Sequence, residues 1–452
     1  MHRYRSAIVF VLTVAALLAA CHRVEEVPLG SAPDASSTDT DSDSDSDVDS
    51  DTDIDADTDS DTDIDPDTGS GTGSDTDSSS DTATCPFDCI SETLCDLVGG
   101  EVHDEWTCEG VNICCDQDPL EPEWTLPDTN QTLCTDFDEE WIWVDCDAID
   151  DGAWLYGQDG HYQSAARQQS YDIGDGSVID EVTLLEWEQC VAGLSGDDCT
   201  DGAALTGPWE GGVYYCDTLD LGGHDDWRLP TALELMWLTD LEASSSAINP
   251  DAFPAVPWSN GFWSSDEYLC EFMCWGTCYF IFSYWNTGSG PSLSQADWAA
   301  YTHGRCVRGE PPSMASFTSS IVAGDRVVDH YPTELTWQGC VAGLSGDDCE
   351  SGEVDEFAWG DGLAHCETLE WAGHDDWRMP DQNELATLLN LDACDPAVYD
   401  EFGVSGFDES LWTSTTVAAE QYRAKMINFD HGELWSTVKY GLGRVICVRG
   451  GP

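Results

Sequence analysis

The chain has 452 residues, with 90 acidic and 14 basic side chains and a formal charge of −76 at pH 7. A surface this negative repels nucleic acid and anionic lipid headgroups, so it excludes nucleic acid as a partner and argues against sulfated polysaccharide as a ligand. The 21 cysteines favour disulfides over free thiols if the chain is exported.

Residues 1–20 have the pattern of a secretory signal peptide, with Arg3 and Arg5 before a short apolar stretch. That stretch is too short to remain as a membrane-spanning helix. Its ending, Leu-Ala-Ala-Cys, is similar to a bacterial lipobox and predicts that Cys21 becomes the lipidated first residue of the mature chain. His22 in place of Asp favours sorting to the outer membrane. We therefore expect an exported outer-membrane lipoprotein that faces the cell exterior and contacts the membrane through its lipid only.

Residues 21–83 are rich in Asp, Ser and Thr, with 19 Asp between Asp34 and Asp81 and no basic residue in that run. Nothing in the run can bury apolar area and its charges repel each other, which predicts a disordered, extended stalk. Calcium binding is the alternative, but the Gly turn and terminal Glu of known calcium loops are missing. The acidity continues beyond the stalk, because residues 84–452 have 69 acidic against 11 basic side chains, a charge of −58.

Residues 84–120 form a small module with six cysteines between Cys85 and Cys115. So short and cysteine-rich a segment needs cross-links to fold, which predicts three disulfides in any of 15 connectivities. A zinc module is the alternative, although the paired C-x2-C spacing typical of one is absent.

Two longer units follow, at residues 121–310 and 311–452, and they are copies of one another. The stretch CVAGLSGDDC occurs identically at Cys190 and at Cys340, an offset of 150 residues. The copies later differ in length, since Trp263 to Cys306 is longer than the corresponding segment of the second copy. Two large copies indicate a domain duplication rather than a solenoid.

The sequence GHDDWR begins at Gly223 and again at Gly373. In the first copy it runs into Thr231-Ala-Leu-Glu234, a capping box that predicts a helix start. We expect the tryptophan to pack inward and the arginine to pair with a carboxylate. His224 and its aspartates could bind a metal or act as an acid–base pair, but no second histidine lies at a ligand-like spacing. The pattern therefore favours architecture over an active site.

The order of these motifs, from GDGSVIDEVTLLEW through YCDTLDLGGHDDWRLPTALEL and FWSS to GRCVRG, resembles the C-terminal domain family of the Legionella collagen-like adhesin. The second copy repeats the order more loosely. RLPT…E and the final CVR also resemble the formylglycine-generating enzyme family, which has a C-type-lectin-like fold. The resemblance implies an α+β fold with two tandem C-type-lectin-like domains, and within each domain a disulfide from an early helix to the last strand, Cys216–Cys306 and Cys366–Cys447.

The two resemblances do not carry over a catalytic or sugar-binding site. The enzyme family uses a closely spaced reactive cysteine pair late in the domain, whereas the late cysteines here stand alone. Calcium-dependent lectins use a Trp-Asn-Asp motif, and this chain has only Trp285-Asn286-Thr287. We therefore expect no catalytic residue and no obligatory cofactor.

The cysteine spacing predicts local disulfides Cys134–Cys146, Cys190–Cys199 and Cys340–Cys349. The last two close loops whose Gly-Asp-Asp could also hold calcium, through Asp197 and Asp198 in the first copy and Asp347 and Asp348 in the second. Cys270, Cys274 and Cys278 are spaced four apart; two of them should pair locally and leave one spare, as Cys394 is spare in the last unit.

The predicted ligand site lies in the longer segment of the first copy, CWGTCYFIFSYWNTG. Its alternation indicates a strand with aromatic side chains on both faces, and aromatic faces with polar edges suit saccharide or protein partners. The candidate contacts are Trp275, Tyr284, Trp285, Asn286 and Asp266. The alternative is that the outward aromatics only cover the neighbouring domain.

The sequence as a whole predicts a surface-anchored, non-enzymatic module for adhesion or binding of an extracellular glycan or protein. An exported enzyme on the same fold and a structural component of the cell envelope are the alternatives.

Overall fold

The computed structural model describes residues 124–452 except 244–246, 258–260, 269–277, 285–290, 313, 315, 394 and 452. It also describes four two-residue strands further upstream, β1 (Ala83–Thr84), β2 (Cys89–Ile90), β3 (Trp106–Thr107) and β4 (Ile113–Cys114), which pair as β1–β3 and β2–β4. The signal peptide, the lipidation site Cys21, nearly all of the stalk and most of the cysteine-rich module lie outside the described residues.

A hairpin precedes the first copy. It consists of β5 (Leu133–Asp138) and β6 (Glu140–Asp145), followed by short 3-10 turns at Cys146–Ala148 and Asp159–His161. The upstream segment contacts both copies: Thr132 donates to Glu242 of the first copy, and further bonds reach the second. The Gln131 side chain donates to the carbonyl of Thr416 and accepts from its amide, both at 2.8 Å. Lys439 Nζ donates to Thr135 Oγ1 at 2.6 Å, so the upstream segment contacts the second copy at the ends of β21 and β23.

Each copy combines a small sheet, a disulfide loop, two short helices and a three-stranded sheet. The elements of the first copy are β7 (Tyr171–Ile173), β8 (Ser177–Asp180), β9 (Glu186–Glu188), β10 (Leu194–Ser195), β11 (Asp201–Gly202), α1 (Trp209–Asp217), α2 (Ala232–Trp237), β12 (Phe262–Tyr268), β13 (Cys278–Ser283), β14 (Ser292–Asp297) and β15 (Val307–Arg308). The small sheet has the order β15-β9-β8-β7 and is antiparallel throughout.

The second copy repeats this order. Its elements are β16 (Phe317–Val322), β17 (Asp325–His330), β18 (Leu335–Gln338), β19 (Leu344–Ser345), β20 (Ser351–Gly352), α3 (Trp359–Glu367), α4 (Gln382–Ala386), β21 (Ser410–Thr416), β22 (Arg423–Asn428), β23 (Glu433–Val438) and β24 (Val448–Gly450), with 3-10 turns at Tyr331–Thr333 and Asp400–Phe402. Strands outnumber helices in both copies, and the chain is an α+β protein. None of the described helices has the length and apolar character needed to cross a membrane.

The repeated GHDDWR stretch is a turn that leads into a capped helix. The backbones of Leu221 and His224 hydrogen-bond to each other across the turn, and the His224 side chain is exposed. Arg228 donates to both carboxylate oxygens of Glu234, at 2.8 and 2.6 Å. Glu234 and Thr231 complete the capping box of α2. The second copy builds the same box at the start of α4, so the predicted helix start and the pairing of the arginine with a carboxylate are confirmed.

Each of the five cysteine pairs expected within the two copies and the hairpin forms a disulfide in the structure. The pairs are Cys134–Cys146, Cys190–Cys199, Cys216–Cys306, Cys340–Cys349 and Cys366–Cys447. Cys278 is also disulfide-bonded, while Cys270, Cys274 and Cys394 lie outside the described residues.

The two copies join edge to edge. Strand β14 of the first copy pairs antiparallel with β23 of the second, and the two sheets become one of six strands, β12-β13-β14-β23-β22-β21. The paired residues are Leu293 and Leu434, each the second residue of its strand, so equivalent positions meet at a local two-fold axis. A single cluster of buried apolar side chains extends through both copies. The pairing removes two exposed strand edges that would otherwise lack hydrogen-bond partners.

Candidate binding cavity in the first copy

A cavity of about 450 Å³ opens on the first copy, between the β7–β8 turn, the Cys190–Cys199 loop and the end of α1. Four of its lining residues are acidic and none is basic. The lining residues are Ile173, Gly174, Asp175, Gly176, Glu188, Gln189, Cys190, Leu194, Ser195, Gly196, Asp197, Tyr215, Leu219, Leu221 and Asp251. The cavity therefore has a negative rim and a partly apolar wall.

Glu188 is the most constrained carboxylate of this cavity. It lies at the end of β9 and is 5% exposed. Tyr215 Oη donates to its Oε1 at 2.6 Å, and the backbone N–H of Cys306 donates to its Oε2 at 3.2 Å. Burial raises the pKa of Glu188 to about 7, although these two donors and the nearby charge of Arg305 act in the opposite direction. The cavity thus presents a fixed carboxylate whose pKa is raised towards neutrality.

Gly176 lines the cavity at the β7–β8 turn. This residue has φ +93°, a left-handed conformation that favours glycine, and a Cβ there would lie 3.2 Å from Leu221 Cδ1. Its carbonyl accepts from the backbone N–H of Gln189 at 3.0 Å. A larger residue at position 176 would project from the turn into the space that the cavity occupies.

The second copy has a larger residue at this position. The backbone N–H of Gly339 donates to the carbonyl of Arg326 at 2.9 Å, which is the counterpart of the Gln189–Gly176 bond. Arg326 Nη1 donates to the carbonyl of Asp347 and Nη2 to the carbonyl of Glu401. Trp371 replaces Leu221 and donates from Nε1 to the carbonyl of Arg326 at 2.7 Å. In the second copy the protein's own guanidinium and an indole fill the equivalent place.

Behind the cavity the first copy also buries a charge that the second copy lacks. Arg305 is fully buried and occupies the position of Ile446. Its Nη1 donates to the carbonyls of Glu188 and Gln189, at 2.8 and 2.6 Å, and its guanidinium lies 4.7 Å from the ring centroid of Phe253. Its Nε and Nη2 have no hydrogen-bond partner among the described residues. The Arg305 side chain therefore fixes the backbone of two cavity residues.

Sequence reasoning did not identify this cavity, although one signal was present. Aligning the two copies at an offset of 150 puts Gly176 against Arg326 and Leu221 against Trp371. At both positions the first copy has the smaller side chain. Only the fold shows that the two positions are adjacent in space.

The aspartates predicted to hold calcium are dispersed. Asp197, Asp198, Asp347 and Asp348 are exposed residues of the two disulfide loops. Among the described residues, none of them belongs to a group of three side chains whose ligand atoms lie within 4.8 Å of one another. Asp197 instead lines the cavity.

The predicted aromatic ligand site is only partly visible. Trp275, Trp285 and Asn286 lie outside the described residues. Strand β13 has the expected alternation, but Tyr284 is on its core side, 3% exposed, and its hydroxyl donates to the carbonyl of Leu235 at 2.8 Å. Asp266 accepts from the backbone N–H of Ala232, at the first turn of α2. The core therefore already holds the ring and the hydroxyl of Tyr284, and Asp266 caps the helix start, while ligand contacts at these residues stay a prediction.

One described cluster of carboxylates is fully buried, where the upstream segment meets the second copy. Asp128, Asp159 and Asp381 approach within 4.8 Å of each other. Asp159 accepts from the hydroxyls of Thr129 and Thr415. Burial, followed by the charge of Asp128, raises the pKa of Asp159 to about 8. The cluster therefore holds at least one proton at neutral pH and links the two segments through hydrogen bonds.

A family model described as the Lcl C-terminal domain matches the chain twice, at residues 176–308 and 326–449. The two matched segments cover 257 of the 452 residues. The first matched segment begins at Gly176, which lines the cavity. The second begins at Arg326, which fills the equivalent place in the second copy. No curated protein has a sequence that matches this chain.

Proposed function

The chain belongs to the Lcl C-terminal domain family, and on that premise we propose that it is a non-enzymatic cell-surface binding protein whose first copy takes up an extracellular glycan or protein. The observation that carries this proposal is the difference between the copies. The first has an open cavity where the second is filled by Arg326 and Trp371. The second copy, with the upstream hairpin packed on it, then acts as the scaffold.

Three finer features belong to the same proposal. We expect Cys21 to carry the lipid that holds the protein in the outer membrane, and the acidic stalk to hold the two copies away from it. We expect each copy to have the C-type-lectin-like arrangement, which the disulfide from α1 or α3 to the residue before the last strand supports.

Binding without catalysis is favoured by the state of the late cysteines. Cys306 and Cys447 are the cysteines nearest the end of each copy, and both are in disulfides. Neither can act as a free thiolate nucleophile.

The test uses the detergent-extracted mature chain on glycan and protein arrays, with and without calcium. Leu221→Trp introduces into the first copy the indole that helps to fill the second. The matched control is Leu442→Trp, at a side chain that is 65% exposed and far from the lining residues in sequence. We expect Leu221→Trp to remove most of the ligand signal and the control to keep it.

A ligand that binds Leu221→Trp and wild type equally would contradict the role of the cavity. Absence of any ligand for the wild-type chain would contradict the binding function and favour a structural component of the envelope. Thermal unfolding of both variants checks that the chain still folds.

A further inference from the structure

From the comparison of the two copies we infer that the cavity of the first copy binds a guanidinium group, namely the arginine side chain of an extracellular peptide or protein. This inference rests on the proposed function, because it names the ligand chemistry of the same cavity. The ligand chemistry follows from the Arg326 side chain, which fills the equivalent space in the second copy.

The second copy shows which atoms can hold a guanidinium at this place. Arg326, the second residue of β17, reaches the carbonyls of Asp347, in the disulfide loop, and Glu401, just before Phe402. A guanidinium is planar and carries five N–H donors, so it can serve two acceptors on opposite walls at once.

The first copy has the corresponding acceptors without the arginine. Asp197 is the counterpart of Asp347, and the segment Asp251–Ala252 precedes Phe253 as Glu401 precedes Phe402. Asp197 and Asp251 both line the cavity. Within the described part of the chain, no hydrogen-bond donor reaches the carbonyl of Asp197. Because Asp197 is exposed, a ligand guanidinium can donate to this carbonyl in place of solvent.

The charge of the cavity fits a cation better than any other group. The lining contains four acidic residues and no basic residue. A cation that leaves water must be compensated by a charge or by several acceptors. In the second copy, backbone carbonyls accept from the charged Arg326 side chain, and the nearby Gln338 is neutral. The first copy has Glu188 at the position of Gln338. The carboxylate adds to the attraction for a cation, and the buried Arg305 behind it, which replaces Ile446 of the second copy, offsets part of that charge.

The walls also suit an arginine stem. Leu194, Leu219 and Leu221 line the cavity on the side of α1 and the disulfide loop. Long cationic side chains bury their methylene groups on apolar surface and keep the charged end among polar groups. Because Arg326 enters its site as part of a polypeptide, a peptide arginine is the closest chemical copy of the occupant that the fold already accepts.

The test is calorimetric titration of the full mature chain at pH 8, where Glu188 is largely ionised. The probe is acetyl-Gly-Arg-Gly-amide, and its isostere with citrulline replaces the guanidinium by a neutral urea. We expect the arginine peptide to bind at least about tenfold more tightly than the citrulline peptide, since charged hydrogen bonds carry most of the interaction. Agmatine, a free guanidinium compound, tests whether the peptide matters.

Glu188→Gln is the diagnostic variant and Gln338→Glu its matched control. The fold already accepts glutamine at this place, because Gln338 Oε1 takes the backbone N–H of Cys447 at 3.2 Å, as Glu188 takes that of Cys306. We expect Glu188→Gln to weaken the arginine peptide about tenfold, the usual effect of losing an opposing charge in a cavity. Gln338→Glu should leave its affinity unchanged.

The outcomes separate this inference from the proposed function. If a ligand found on the arrays depends on Leu221 but the arginine and citrulline peptides bind equally, the guanidinium inference is overturned and the binding function stands. If agmatine binds more tightly than the peptide, the site is one for a small guanidinium compound and the peptide assignment is overturned. If Gln338→Glu weakens the peptide as much as Glu188→Gln, the site is not in the first copy.

Discussion

Replacing Arg326 by alanine removes the side chain that fills the second copy, and its cost follows from the contacts. The guanidinium donates to the carbonyls of Asp347 and Glu401. Hydrogen bonds from a charged donor contribute about 1.5 to 3 kcal/mol each, and the partial exposure of Arg326 places these at the low end. We therefore expect Arg326→Ala to lower the free energy of unfolding by about 3 kcal/mol.

The assay is urea denaturation, read as a shift of the midpoint at an unchanged slope. The control is Arg449→Ala in the same copy. Arg449 Nε lies 2.7 Å from Asp376 Oδ1, but the Asp376 side chain is 56% exposed, and an exposed pair of this kind contributes up to about 1 kcal/mol. Equal losses for the two variants would refute the reasoning, because Arg326 would then act as one more surface charge.

The same variant should become sensitive to a small cation. Arg326→Ala leaves two carbonyls without their donor, so methylguanidinium should stabilise it more than it stabilises wild type. A ligand present at ten times its dissociation constant adds about 1.4 kcal/mol. Equal effects of methylguanidinium on the variant and on Arg449→Ala would indicate that the vacated space does not hold a guanidinium.

Three further predictions concern the caps, the buried acids and the anchor. Thr231→Ala and Asp381→Ala should each lower the free energy of unfolding by about 1 kcal/mol, the usual cost of an N-cap, and unchanged urea midpoints would contradict the capping boxes. Because the pKa of Asp159 is raised to about 8 in the folded chain, its contribution to stability is complete below pH 4 and is lost as the pH rises through 8. Asp159→Asn should therefore flatten the fall of stability between pH 5 and 9, and an unchanged pH profile of thermal unfolding would contradict the raised pKa. Cys21→Ser should release the chain from the membrane fraction; a chain that stays there after signal cleavage would contradict anchoring through a lipid on Cys21.

Local features were predictable from the sequence because their causes are local. Thr231 and Glu234 are three residues apart, so their spacing alone predicts a capping box, and the helix starts there. The loop closed by Cys190 and Cys199 depends on nine residues of separation. Arg228 finds its carboxylate six residues away. In each case the short separation along the chain determines which groups meet.

The shared sheet and the cavity were not predictable in this way. Leu293 and Leu434 pair across two copies and are 141 positions apart. Gly176 and Leu221 are 45 positions apart, and their joint effect on the cavity depends on how the β7–β8 turn meets the end of α1. Alternation predicted the strand β13, which ends just before Tyr284, but alternation fixes which residues share a face and not which face is buried.

The most direct test of the account is a crystal structure of the chain grown with acetyl-Gly-Arg-Gly-amide. We predict that the arginine side chain lies in the first-copy cavity, with its guanidinium bonded to the carbonyls of Asp197 and of the Asp251–Ala252 segment. In the same crystal, Arg326 should still fill the second copy. A cavity that contains only water at a saturating peptide concentration, or a peptide bound elsewhere on the chain, would contradict the claim that the two copies have diverged into a receptor site and a filled one.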